Sequence, residues 1–305
     1  MIDRTHNTPP RAEQTLENLA QQLEKSGAYR VLRRLMPQAT SDARQPGEKI
    51  GLVLDVETLG LNPVKDEVIE LGMVKFAYSE QDEVTRIIGE FRGFQQPSVP
   101  IPSEITELTG ITDAMVTGQA IDAAQVEVFA AESNIVIAHN AGFDRRFAER
   151  FWPIFQRKPW ACSATQIDWR RHKITGAKLD YILAAFGYFH DAHRATDDCH
   201  ALVAILRRTL PHAQSSGLSA LLAEARKDGH RVWAESSPYE LKNTLKKRGY
   251  RWSDGSDGTP KAWYVDVAED LLVQELNFLR DEIYQRNVEI PTRPVTAWER
   301  FSARL

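Results

Sequence analysis

Ile50-Gly51-Leu52-Val53-Leu54-Asp55-Val56-Glu57-Thr58 is a short apolar run that ends in acids. A run of this length, rich in Val, Ile and Leu, reads as a buried strand. Residues two apart on a strand share a face, so Asp55 and Glu57 present adjacent carboxylates at its end. Two close carboxylates repel unless they share a proton or hold a cation. Hard divalent cations such as magnesium prefer oxygen ligands. Taken alone, the pair is equally explained by one acid capping the strand and the other facing water.

Working outward, 67–76 and 84–91 read as two more strands and 123–131 as a helix. A compact β-branched strand follows at 134–138. Helices are expected over 143–152, 179–187 and 196–210. Consecutive strands followed by βα units predict an α/β fold, a mixed sheet with helices on its faces.

Two more stretches bring acids toward the core. In His139-Asn140-Ala141-Gly142-Phe143-Asp144, Asp144 starts a helix and shares its apolar face with Phe147, Ala148 and Phe151. A carboxylate on that face is costly unless paired or metal-bound. Arg145, Arg146, Glu149 and Arg150 fall on other faces. In His193-Arg194-Ala195-Thr196-Asp197-Asp198, Thr196 is a candidate N-cap. Asp198 shares a stripe with Leu202 and Ile205, whereas Asp197 lies with Ala201, Ala204 and Arg208. Helix facing therefore selects Asp198 as the interior acid. His193 precedes the helix on a loop that could approach the same site. Four carboxylates can hold two divalent cations about 4 Å apart, the arrangement that serves phosphoryl transfer. A neutral imidazole can take a proton near physiological pH.

These three pieces resemble the three motifs of the DnaQ-like, or DEDDh, exonuclease family. Asp55 and Glu57 match the first, Asp144 the second, and His193 with Asp198 the third, with the family's spacing of five from His to Asp. The stretch between the first two motifs, beginning Val99-Pro-Ile-Pro-Ser-Glu, is similar as well. The resemblance covers about 49–210. It implies an RNase H-like mixed five-stranded sheet flanked by helices, two magnesium or manganese ions, and 3′→5′ hydrolysis releasing nucleoside 5′-monophosphates. It further implies that Asp55, Glu57, Asp144 and Asp198 are metal ligands, with His193 completing the catalytic five. The Thr58 and Leu59 region is implied to contact the terminal nucleotide. His139 and Asn140 are implied to place substrate or to scaffold the second motif.

Composition bounds the rest. The chain has 305 residues, 42% of them hydrophobic, and a formal net charge of −4. No global basic field holds a polyanion, so a nucleic-acid partner must be met by bound cations or a local basic patch. Neither Cys162 nor Cys199 belongs to a CxxC pair, so neither zinc nor a disulfide framework is signalled. The start Met1-Ile2-Asp3-Arg4 lacks a signal-peptide core, no run is long enough to span a membrane, and a cytoplasmic protein is expected.

The flanks divide the chain into an N-terminal helical segment and linker (1–47), an exonuclease unit (48–212) and a small α+β accessory unit (213–305). Leu16, Leu19 and Leu23, then Val31, Leu32 and Leu35, predict helix over 11–35 and a face docked on the body; pairing with a partner is the alternative. A polar linker is expected over 38–49. In the accessory unit, Ser237 should cap a helix that stops at Gly249. Strands around Tyr250 and Ala262 should form a hairpin, and Asp266 should cap a helix to about Arg286. The run 241–253 carries Lys242, Lys246, Lys247, Arg248 and Arg251 without an acid, interleaved with Tyr250 and Trp252. Lys246, Lys247, Arg248, Arg251 and Trp252 are candidate single-strand contacts; a solvated face over a small core is the alternative. Gln274 to Phe278 resembles a sliding-clamp peptide but falls inside an expected helix, so a clamp or polymerase partner is unsupported. Single-stranded DNA 3′ ends in a stand-alone repair or processing role are the expected substrate. A proofreading subunit and an RNA-directed enzyme remain the alternatives.

Overall fold

The computed structural model describes residues 11–38, 40–41, 45–255 and 258–305, with the backbone alone at 11–14. Helix α1 (Arg11–Lys25) and the two-residue strand β1 (Arg33–Arg34) precede the main sheet. That sheet holds β2 (Lys49–Thr58), β3 (Val68–Tyr78), β4 (Val84–Phe94), β5 (Ile135–Ala138) and β6 (Trp160–Cys162), ordered β4-β3-β2-β5-β6. β2, β3 and β4 pair antiparallel, and β5 and β6 run parallel to β2. This is the five-stranded mixed sheet expected from the sequence.

Short helices α2 (Ser103–Thr109) and α3 (Asp113–Val116) lead to α4 (Ala123–Ala131), and α5 (Ala141–Phe151) joins β5 to β6. Next come α6 (Ser163–Gln166), α7 (Leu179–Ala185), β7 (Tyr188–Phe189), α8 (Ala195–Leu206) and α9 (Gly217–Ala225). Strand alternation sorts the core into two layers. Leu52, Leu54, Leu71 and Met73 pack with Val126 of α4 and Phe147 of α5. Val53, Val74 and Phe76 pack with Leu183 of α7, Leu202 of α8 and Leu222 of α9. Asp55 and Glu57, odd-numbered like Val53, lie on the α8 face.

A second sheet is built from β8 (Gly229–Ala234), β9 (Arg251–Trp252), β10 (Trp263–Ala268) and β11 (Thr292–Val295), ordered β11-β8-β10-β9 and wholly antiparallel. Its Val232 and Ala234 side packs against Leu245 of α10 (Lys242–Lys247), Leu276 of α11 (Leu272–Phe278) and Leu279. Residues 296–305 then return to the main body. Fully buried Arg145 donates from Nη1 to the carbonyls of Ala297 (3.3 Å) and Arg300 (2.6 Å), and from Nη2 to Trp298 (2.5 Å). Its Nε donates to Glu149 Oε1 at 2.7 Å, and Ser302 Oγ donates to Glu149 Oε2 at 2.6 Å. Arg145 and Glu149, off the apolar stripe of α5, are thus buried by the chain's own last segment.

Several local expectations are corrected. The helix stops at Lys25, because Gly27 turns the backbone at φ +72°. Val31 to Leu35 is not helical: Arg33 and Arg34 pair in parallel with Tyr188 and Phe189. The leucine stripe of α1 does not dock, with Leu16, Leu19 and Leu23 66%, 51% and 43% exposed. Instead Arg33 ties the helix down through Glu17 and Glu24. Thr196 does not cap α8. The helix begins one residue earlier behind Arg194, leaving Thr196 Oγ1 buried with no hydrogen-bond partner. Ser237 makes no capping bond, and the segment opens with a 3₁₀ turn at Tyr239–Leu241. Asp266 stays within β10, where pairing with Gly229 carries the strand to Ala268. Helix begins only beyond it, in the turn Glu269–Leu271. The expected linker lies outside the described residues at 39 and 42–44, as do Met1 to Arg4 and positions 256–257 of the hairpin turn.

Candidate metal centre

β2 ends where β3, α5 and α8 converge, and each element delivers an acid. Asp55, Glu57 and Asp198 offer one carboxylate oxygen each within 4.8 Å of one another. Asp144, buried at the start of α5, accepts a hydrogen bond from Val56 N–H at Oδ1 (3.3 Å). That bond ties the α5 acid to the strand carrying Asp55 and Glu57. Asp198 reaches the strand because α8 lies directly on β3 at Gly72, the cross-strand partner of Asp55. No side chain separates them there: a Cβ on Gly72 would stand 2.3 Å from the Ala195 carbonyl carbon and 2.4 Å from Thr196 N.

The electrostatics are those of an anionic cluster short of positive charge. Burial, then Asp144, Asp198, Glu57 and Glu70, hold Asp55 well above the usual carboxylate range. Burial, then the Asp198, Glu70 and Asp144 charges, push Glu57 up to about 8. Burial raises Asp144 to about 7 even though the Val56 amide opposes it. Clustered, desolvated, oxygen-only donors of this kind fit a hard divalent cation, which would relieve the repulsion. The arrangement implies such a cation, held by Asp55, Glu57 and Asp198 with Asp144 beside them. It would supply Lewis-acid stabilisation to phosphoryl oxygens.

The two histidines of the third motif's loop behave differently. His193 is exposed at φ +64°, and its backbone N–H donates to Asp198 Oδ2 at 3.0 Å. The imidazole against Asp198 belongs to His190, whose Nε2 donates to Oδ1 at 2.6 Å while Nδ1 faces Asp180 at 3.3 Å. Burial opposes the charged imidazolium of His190, but Asp198, then Asp180 and Asp197, raise its pKa. His190 carries no signal in the sequence, since a histidine three residues before another has no motif spacing.

Glu70 joins the cluster without belonging to any of the three motifs. This fully buried acid is the cross-strand partner of Glu57, and Arg92 Nε (2.8 Å) and Ala195 N–H (3.2 Å) hold it. Burial raises its pKa, against the pull of Arg92. A glutamate inside the apolar run Val68-Ile69-Glu70-Leu71 was the available signal.

Thr58 is buried and donates from Oγ1 to the Gly60 carbonyl at 2.6 Å, and Leu59 packs with Ile69 and Ile101. His139 has both ring nitrogens engaged, Nδ1 with Ser163 Oγ at 2.8 Å and Nε2 with the Ala177 carbonyl at 2.6 Å. It braces the β5–α5 turn. Asn140 is the exposed N-cap of α5 and makes no side-chain capping bond. In the accessory sheet, Lys246 and Lys247 sit on α10, and Arg248 is bound by Glu275 at 2.9 Å. Arg251 and Trp252 form the edge strand β9.

The sheet order and the acids converging at its centre define a nuclease of the RNase H-like kind. A family profile described as RNase_T, Exonuclease, matches residues 52–206, just over half of the chain. The chain belongs to this exonuclease family, and the domain is a nuclease hydrolase. Among curated relatives, the DNA polymerase III PolC-type of Thermotoga maritima is 29% identical over 198 residues, 59% of this chain. That of Clostridium perfringens is 32% identical over 168 residues, 51% of this chain. The matches span only 13% and 11% of the lengths of those polymerases. Among solved structures, the zinc-bound E. coli ExoI–ssDNA complex shares the fold at 14% identity and a TM-score of 0.50. That match covers 77% of this chain and 71% of that one. No helix among the described residues is long and apolar enough to cross a membrane.

Proposed function

We propose that this chain is a two-metal 3′→5′ exonuclease that removes nucleoside 5′-monophosphates from single-stranded DNA 3′ ends. One observation carries the reading: three carboxylates within 4.8 Å of one another, with Asp144 anchored beside them, on a sheet of this family. Asp55, Glu57, Asp144 and Asp198 hold two magnesium or manganese ions. His193 is the general base. It takes a proton from water as the water oxygen bonds to phosphorus and the bond to the leaving 3′ oxygen breaks. Its loop position leaves the imidazole free to turn toward substrate, while its amide already holds Asp198. Thr58, Leu59 and Asn140 line the place of the terminal nucleotide, and His139 acts through the turn it braces.

Support for DNA comes from the relatives, which are DNA polymerases, and from the E. coli neighbour, which is an ssDNA complex. The second sheet favours a stand-alone processing enzyme. The polymerase relatives favour the rival reading, a proofreading subunit. We assign 1–47 and 48–212 as the lead segment and catalytic unit. The packing of α9 with the main core supports starting the accessory unit nearer Gly229 than residue 213. Two buried free thiols suit the cytoplasm.

The test uses 3′-labelled and 5′-labelled oligonucleotides of DNA and RNA, with magnesium or with chelator. Immediate release of the 3′ label as a mononucleotide, abolished by chelator, is expected. An intact substrate, or release from the 5′ end, sinks the reading. Co-purification with a polymerase would replace the stand-alone role with proofreading.

A further inference from the structure

We propose that the cleft between the second sheet and the first turns of α5 is a subsite for the single strand behind the 3′ end being cut. The proposal rests on the nucleic-acid reading above. A cleft of about 360 Å³ is walled on one side by Leu61, Asn140 and Phe143 and on the other by Arg231, Arg251 and Tyr264. Asn140 and Phe143 stand at the start of α5, within four residues of Asp144. A neighbouring cleft of about 290 Å³ continues past Trp233 and Trp252. Arg146 lines both.

Arg146 is the observation that points to a ligand. Among the described residues it makes no hydrogen bond or ion pair, and its Nε is buried without a partner. A guanidinium has donors in a fixed fork and no acceptor, so stripping water from it without supplying an oxygen is costly. The surrounding arginines are already engaged. Arg145 spends its donors on Glu149 and the chain's last segment. Arg231 makes a bidentate pair with Asp266 at 2.7 and 2.8 Å, and Arg251 approaches the same carboxylate at 3.4 Å. Arg146 therefore lacks the counter-ion its neighbours have, and a phosphate would supply the missing oxygens.

The aromatic side of the cleft selects single strands. Trp252 packs on its cross-strand partner Trp263 on the α10 face, whereas Tyr264 lines the cleft on this face, its ring centre 5.1 Å from that of buried Trp233. Base faces reach such rings only when they are unpaired. The lysines of α10 do not share this surface. Leu245 of α10 packs behind the sheet on Val232 and Ala234, and Arg231 and Trp233 alternate with these to the opposite face.

The test measures binding of a 5′-fluorescein oligothymidylate of about 12 nucleotides. Fluorescence anisotropy is read on the full-length protein in chelator, which blocks turnover, over a salt series. Arg146→Gln should weaken binding about tenfold and flatten the plot of log K against log salt by about 0.7, one single-strand phosphate contact. Tyr264→Ala should weaken binding about tenfold with the slope kept. Arg251→Gln, at an exposed side chain, repeats the measurement without touching a buried wall, and thermal melting verifies that each variant is folded. Wild-type affinity and slope in all three variants overturn the proposal, as does loss of binding in Lys247→Gln alone. If the wild type digests a 3′-labelled oligonucleotide while these variants bind normally, the exonuclease reading stands and the subsite falls. If it binds through Arg146 but digests nothing in magnesium, the subsite stands and the exonuclease reading falls.

Discussion

Gly72 and Ala195 touch backbone to backbone: a Cβ at position 72 would lie 2.3 Å from the Ala195 carbonyl carbon. Gly72 is also the cross-strand partner of Asp55. The contact therefore sets the distance between the strand that carries two acids and the helix that carries a third.

Gly72→Ala tests this coupling. An overpacked contact between backbones costs about 1–3 kcal/mol, and relief requires α8 to lift away with Asp198. The variant is expected to melt lower and to lose most nuclease activity, with activity falling even at temperatures where it is fully folded. Wild-type activity in a folded Gly72→Ala protein would show that the helix position does not matter.

The acidic cluster makes metal-free stability depend on pH. Glu57 and Asp144 sit at about 8 and about 7 in the folded chain, against about 4.3 and 3.9 unfolded. The folded state then binds more protons than the unfolded one between about pH 4 and 8. Its stability is fully present below that window and is lost as pH rises through it. In chelator, wild type should lose melting temperature across this window and Glu57→Gln should lose less. A flat profile for wild type contradicts the shifted acids.

Magnesium should reverse the balance. A cation that binds only the folded state stabilises it by about 2.7 kcal/mol at a hundred times its Kd. Wild type should gain melting temperature with magnesium at pH 8. Asp55→Asn should be more stable than wild type in chelator, gain little from magnesium and have no turnover. Equal gains in the two proteins would remove Asp55 from the metal site.

The two histidines predict different kinetic losses. His193→Ala should lower kcat by about a hundredfold or more while the magnesium requirement is kept. His190→Ala, which frees Asp198 Oδ1, should raise the magnesium concentration for half-maximal activity about tenfold or more. The reverse assignment of these effects would make His190 the base. A magnesium titration of both variants on one oligonucleotide decides.

Arg145 binds the last segment to the main body. Arg145→Ala leaves the Ala297, Trp298 and Arg300 carbonyls without this donor and leaves Glu149 with only Arg304 and Ser302 as partners. Breaking such a buried arrangement costs about 3–5 kcal/mol. Early proteolytic cleavage within 296–305 is expected, measured by mass spectrometry after limited digestion. Wild-type resistance would show that the segment is held by other contacts.

Local periodicity made much of the molecule legible. Two-residue alternation puts Asp55 and Glu57 on one face, and apolar runs mark four of the five strands of the main sheet; three-residue β6 is too short to stand out. Helical facing separated Asp198, with Leu202 and Ile205, from Asp197. Ordered motif pieces then joined acids far apart in the chain, because hydrophobic patterning and motif spacing are properties of neighbouring residues. What depends on register and docking was not legible. Glu70 enters the cluster only through its pairing with Glu57, and His190 only through the fold of its loop onto Asp198. The leucines of α1 have helical spacing, yet no surface of the described chain covers them. Asp266 has a helix-start pattern, yet strand pairing keeps it in β10. Arg146 reads as one of several surface cations, and only the fold shows its Nε buried without a partner beside the second sheet. The sequence determined which residues could share a face. The tertiary structure decided which faces meet, since long-range contacts fix the dielectric and the partners that each charge finally has.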